Sequence, residues 1–183
     1  MRLANKAMLM LVAIGALNAA TVTGVSAHTF SASTVAALKG KALQTQVFKT
    51  KAGSVECSTL AITSGTSSLS SLTLSDTVQY SGCKAFGLTA TVSPADYELN
   101  ADGSVDLVAE VAIKAIGCVV MIPPQTLGGL AYKDSGSEVV IEPKVTGITS
   151  EGLGAACAYL KESKGTYTGN SSLSIAGGSI GWS

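Results

Sequence analysis

The chain has 183 residues, with twelve lysines and arginines against twelve aspartates and glutamates, four cysteines and 46% hydrophobic residues. An apolar chain with only 13% charged residues excludes intrinsic disorder, which needs low hydrophobicity and high charge. The balanced charge also lacks the basic footprint of a nucleic-acid binder.

The first element in chain order is an export signal. Arg2 and Lys6 give a positive start, and Ala7 to Ala20 is an apolar run broken only by Gly15 and Asn18. Such a run is shorter than the roughly 20 residues of a membrane-spanning helix, and Val25-Ser26-Ala27 supplies the small residues that a signal peptidase reads. The expectation is a signal peptide over residues 1–27, cleavage before His28, no transmembrane anchor after cleavage, and one domain over residues 28–183, secreted or on the cell surface. Cleavage removes Arg2, the chain's one arginine, and Lys6, leaving ten basic against twelve acidic residues and a net charge of −2. Arg-clamped phosphoryl chemistry is thereby set aside.

Beyond residue 27, Ser, Thr, Gly and Val alternate in short runs, the composition of pleated surfaces punctuated by turns. Gln46–Thr50 and Ser54–Thr59 flank a turn at Lys51-Ala52-Gly53. Leu69–Leu74, Thr77–Tyr80 and Phe86–Val92 read as further strands, the last closed by Pro94. Tyr97–Leu99 and Val105–Val108 around Asn100-Ala101-Asp102-Gly103 form the clearest hairpin. Val108–Ile116 is either a helix or a long β-arm. Cys118–Ile122 stops at Pro123-Pro124; Leu130–Tyr132 follows, then Glu138–Ile148 with Pro143 marking an edge or bulge, then Gly165–Ile175. About ten strands at 8–12-residue spacing predict a single all-β antiparallel sandwich or barrel.

Cys57, Cys83, Cys118 and Cys157 all lie in the exported part. An even number in an oxidising compartment implies two disulfides. Three pairings are open; the sequential one, Cys57 with Cys83 and Cys118 with Cys157, is preferred because each bond then staples one half of the chain. The cysteines lack the close C-x₂₋₄-C pairs of a zinc site.

Several segments together resemble an uncharacterised family of secreted, disulfide-containing bacterial proteins of actinobacterial type. They are Val47–Cys57, Tyr80-Ser81-Gly82-Cys83-Lys84-Ala85-Phe86-Gly87, Gly117-Cys118 with Ile122-Pro123-Pro124-Gln125, and Gly165-Thr166-Tyr167-Thr168-Gly169. The resemblance spans most of the exported part and rests on the order of these motifs. Such sequences often carry another cysteine pair around the central hairpin, where this chain has Tyr97 and Val108–Glu110. The resemblance implies export, β-architecture and disulfides, and no chemistry.

Candidate sites are few. His28 would be the first residue after cleavage, as in a copper brace, but that site needs a second histidine and this chain has one. Glu98, Asn100, Asp102 and Asp106, with Gly103 and Ser104, resemble the start of a calcium loop. The first ligand is Glu rather than Asp, and Ala109 stands where the closing Glu belongs, so a plain hairpin turn is the preferred reading. Asp96 with Glu98, and Glu138 with Glu142, share strand faces and could act as carboxylate pairs on a glycan, which would also require facing groups and aromatic platforms. Tyr80, Tyr97, Tyr132, Tyr159 and Tyr167 could build a ligand-binding face if they converge. Asn170-Ser171-Ser172 is a sequon taken as incidental, and no cofactor motif is present. The expected function is a non-enzymatic structural, surface-associated or binding module. The alternatives are a carboxylate enzyme on a glycan, or a component of the cell envelope that self-associates through exposed β-edges.

Overall fold

The computed structural model describes residues 27–51, 53–85, 87–157 and 161–183. The expected signal peptide up to Ser26 and the side chains of Phe86 and Tyr159 lie outside them. The described residues are all β, with no helix. They form β1 (Phe30–Ala32), β2 (Leu38–Ala42), β3 (Gln46–Thr50), β4 (Gly53–Gly65), β5 (Ser70–Ser71) and β6 (Thr73–Ala85). There follow β7 (Leu88–Val92), β8 (Ala95–Asn100), β9 (Ser104–Leu107), β10 (Val111–Ala115), β11 (Cys118–Ile122) and β12 (Gln125–Gly128). The last are β13 (Leu130–Ser135), β14 (Glu138–Leu153), β15 (Lys161–Thr168), β16 (Ser171–Ile175) and β17 (Ile180–Trp182).

Eight strands close into a ring. In the order β6, β7, β10, β11, β14, β15, β3, β4, each pairs antiparallel with the next, and β4 returns to β6. Closure leaves these strands without free edges. Strands β4, β6 and β14 run to 13, 13 and 16 residues, and their overhanging halves carry a second tier. There β2 and β16 link β4 to β14, β8, β9 and β12 extend from β6, and β13 pairs with β14. Between β12 and β14 a side chain stands in for a strand neighbour: Gln125 accepts from Thr149 N at 2.9 Å and donates to Thr149 O at 3.1 Å. The small sheet β17-β1-β5 covers the second tier with Phe30 and Ile180.

Inward side chains build two apolar clusters. One fills the ring with Phe48, Val55, Val78, Ile113, Val120 and Val145; the other fills the upper tier with Phe30, Leu74, Leu99, Val139 and Leu173. Ile62, Tyr97, Leu127 and Leu130 pack against both. In β4 the inward residues are Val55 and Cys57, then Leu60 and Ile62; in β6 they are Leu74, Asp76, Val78 and Tyr80, then Cys83 and Ala85. Both strands therefore change parity at the same level, beside Gly82. Gly82 has φ 62°, and an added Cβ would lie 2.1 Å from Ser58 Oγ, so a side chain here would strain the backbone and displace the Ser58 hydroxyl, which favours glycine. That residue sits inside the Tyr-Ser-Gly-Cys motif.

The cysteines pair sequentially. Cys57 and Cys83 face each other across β4 and β6 with Cα atoms 4.0 Å apart, and Cys118 ties the start of β11 to Cys157 over 5.4 Å. With sequence separations of 26 and 39, each bond is worth about 3 to 4 kcal/mol by the chain-entropy argument.

Some expectations need correction. Seventeen strands stand among the described residues rather than about ten; β1, β2, β12 and β17 lie in stretches where no strand was predicted. The Val108–Ile116 segment is neither a helix nor one arm. Strand β9 stops at Leu107, Val108 N donates to Asp96 O at 2.9 Å, and β10 starts at Val111, with Val111 and Ile113 alternating inward. Pro143 is buried at the point where β14 exchanges β16 for β15, a seam that needs no N–H. The bulge itself lies further on, between Thr146 and Ile148, where Gly147 takes φ 81°.

Candidate functional site

A cavity of about 150 Å³ runs inside the barrel, walled by both apolar clusters. Its walls include Phe48, Val78, Ile113, Leu127 and Leu173, and into this apolar surface project Gln46, Asp76, Tyr80, Tyr97 and Tyr167. An apolar cavity of about 150 Å³ is large enough for benzene.

The polar groups form a ladder whose direction is fixed. Gln46 is 2% exposed, and its Nε2 donates to Gln44 O at 2.8 Å and to Asn170 O at 3.1 Å. Both amide protons are thus used, and Oε1 is the acceptor for the Tyr167 hydroxyl. A phenol has one proton, so Tyr167 can only accept from Tyr80, 3.2 Å away, and Tyr80 only from Tyr97, also 3.2 Å away. The ladder reads Tyr97 to Tyr80 to Tyr167 to Gln46 to backbone. Tyr80 and Tyr167 also meet edge to face, with ring centroids 6.4 Å apart.

At its open end the ladder presents an acceptor. Among the described residues, the contact shown for the Tyr97 hydroxyl is the one to Tyr80. Asp76 lies directly opposite Tyr97 in the β6–β8 register. The alternation of β6 turns Asp76 inward with Leu74 and Val78, and its Oδ1 is buried without a hydrogen-bond partner. Burial, reinforced by the Asp96 charge, pushes the Asp76 carboxyl up to about 7. Burial likewise raises Tyr97 to about 12, with help from Asp76. Tyr80 and Tyr167 are also driven upward, first by burial, so all three phenols stay protonated at neutral pH.

The tyrosines named from sequence therefore divide. Tyr80, Tyr97 and Tyr167 converge, whereas Tyr132 belongs to the upper cluster, edge to face with Phe30 and against Trp182. His28 stacks on Trp182 with centroids 4.0 Å apart. The proposed calcium ligands are engaged with each other and with neighbours. Asn100 Nδ2 donates to Asp106 Oδ2 at 2.9 Å, Thr126 Oγ1 donates to Asp106, and Asp102 Oδ1 accepts from Ser104 N and Oγ at 2.9 and 2.7 Å. These bonds hold Asp102 and Asp106 below the usual carboxylate range. Glu98 sits across from Asp106 in the β8–β9 register. The arrangement is a hairpin turn closed by Gly103 N to Asn100 O at 3.0 Å. Among the described residues, no group of three or more His, Cys, Asp or Glu is placed to hold a metal.

The carboxylate pairs face away from the cavity. Asp96 accepts from Thr77 Oγ1 at 2.8 Å on the opposite face of β8 from Tyr97 and Leu99. Glu138 pairs with Lys41 at 3.2 Å. Ser171 and Ser172 of the sequon are buried, and the Asn170 carbonyl accepts from Leu43 N and Gln44 N. Sequence reasoning did not single out Asp76 or Gln46. Asp76 is in phase with Leu74, Val78 and Tyr80 on the continuous strand β6, a phase that the sequence reading leaves open by breaking the strand between Leu74 and Thr77. No family model, curated protein or solved structure matches the chain.

Proposed function

We propose that the protein is an exported binding module whose ligand is a small, mainly apolar molecule held inside the barrel. The observation that carries this reading is the 150 Å³ cavity, crossed by a polar ladder that ends in acceptors rather than closing on itself. A barrel built only for stability is expected to fill such a space with side chains. Two disulfides fit an oxidising compartment, and among the described residues no helix is long and apolar enough to cross a membrane. Export follows from the signal-type sequence, and the secreted protein is expected to begin at His28.

The test is thermal unfolding of the disulfide-bonded protein in sealed cells with increasing benzene. Saturable binding raises stability by about 2.7 kcal/mol at a hundredfold excess over Kd, which for a domain of this size shifts Tm by roughly 5 to 10 °C. In Gly40→Ala the new Cβ would lie 2.7 Å from Ile62 Cγ1, which drives Ile62 into the cavity; benzene affinity should fall at least tenfold. Absence of a saturable shift with the wild-type protein, or equal binding by the variant, would refute the reading.

A further inference from the structure

The ladder's polarity says more about the occupant than the cavity's size does. Every hydroxyl proton from Tyr97 to Tyr167 is spent toward Gln46, and the Gln46 amide protons are spent on Gln44 O and Asn170 O. What remains at the other end is the Tyr97 oxygen, able to accept. Opposite Tyr97 in the β6–β8 register stands Asp76, its carboxyl buried at 6% exposure with Oδ1 unpartnered and, like Tyr97, lining the cavity. Among the described residues, no lysine, arginine or histidine lines the cavity, so none of them supplies a cation there. A buried carboxylate without a donor is costly, and a molecule that brings the donor removes that cost.

Taking the cavity to be a binding site, as above, we propose that it selects a small apolar primary amine of about benzene size. Its nitrogen donates to Asp76 and to the Tyr97 oxygen, and its hydrocarbon body lies against Phe48, Val78 and Ile113. The three donors of an ammonium suit this pair of acceptors. A charge-assisted bond in a dry site discriminates strongly against an isostere that lacks the donor.

The discriminating experiment compares cyclopentylamine with methylcyclopentane at pH 8 by calorimetry and thermal shift, using the wild-type protein, Asp76→Asn and Tyr97→Phe. The amine should bind the wild type at least tenfold more tightly than the hydrocarbon. Asp76→Asn should lower amine affinity at least tenfold and Tyr97→Phe severalfold, both leaving methylcyclopentane unchanged. Tyr97→Phe keeps the ring, so it reports even if Asp76→Asn folds poorly. Hydrocarbon binding with no preference for the amine, or amine affinity indifferent to both substitutions, overturns the assignment of the amine and leaves the cavity reading intact. Failure of both probes to bind overturns both.

Discussion

Raising the pH through the range in which Asp76 loses its proton should weaken the fold. In the unfolded chain this carboxyl titrates near 3.8; in the barrel burial holds its proton until about pH 7. Below the lower value both states are protonated and the group contributes nothing. Between the two, the folded state keeps a proton that the unfolded state has released, so stability falls as pH rises and levels off above 7. At 1.36 kcal/mol per pH unit the whole span is on the order of 4 kcal/mol, and the part between pH 5 and 7 is on the order of 3 kcal/mol. Against a typical domain stability of about 5 to 15 kcal/mol, that is readily measured. The assay is urea unfolding at pH 5, 6, 7 and 8, run in parallel on the wild-type protein and Asp76→Asn. Asp102, Asp106 and Glu138 are held below the usual carboxylate range by hydrogen bonds and keep their charge throughout. Asp76→Asn should flatten the profile whatever it does to absolute stability. A wild-type stability that is constant or rises from pH 5 to 8, or an unchanged slope in Asp76→Asn, would refute the placement of this carboxyl in a dry interior.

Two further substitutions probe the frame around the cavity. Gln46→Leu removes the acceptor of the ladder, leaving the buried Tyr167 hydroxyl unpaired, and takes its donor from Gln44 O, while Asn170 O keeps Leu43 N and Gln44 N; urea denaturation should show a loss of about 2 to 4 kcal/mol, and a loss below about 1 kcal/mol would deny the ladder its anchor. Gly82→Ala combines a positive φ with a contact to Ser58 Oγ, for an expected cost of about 2 to 3 kcal/mol. Adding Ser58→Ala should recover the contact and leave the backbone cost, and full recovery would show that the φ of 62° is not required.

Period-two alternation made the class of fold legible. Cys118–Ile122 is β11 as the sequence predicts, stopped by Pro123, and the turn at Asn100–Gly103 joins β8 to β9. The sequential disulfides match the expectation that each bond staples one half of the chain, but the facing of Cys57 and Cys83 at one level of β4 and β6 is a property of the strand pairing. Ring closure was not legible. It depends on β4 meeting β6 while β3 meets β15, pairings that no local run encodes. The short strands β1 and β17 escape for the same reason. Each is three residues long, and they become strands by pairing with one another from opposite ends of the described chain.

The site divides along the same line. Asp76 is in phase with Leu74, Val78 and Tyr80 on the continuous strand β6, but the sequence reading breaks that strand between Leu74 and Thr77 and so leaves the phase of Asp76 open. What the sequence could not tell is whether that face would be covered, and coverage comes from Leu127, Leu130 and Ile141 on strands far along the chain. The ladder is less local still. Gln46 can act as an acceptor for Tyr167 only because Asn170, 124 residues away, takes one of its protons, and Tyr80 reaches Tyr167 across 87 residues. A chain of phenols has no preferred direction of its own. Here the fixed carbonyls of Gln44 and Asn170 impose one, and the acceptor left over at Tyr97 results from backbone placement at the opposite end of the ladder. The chemistry of the cavity is thus set by the closure of the barrel.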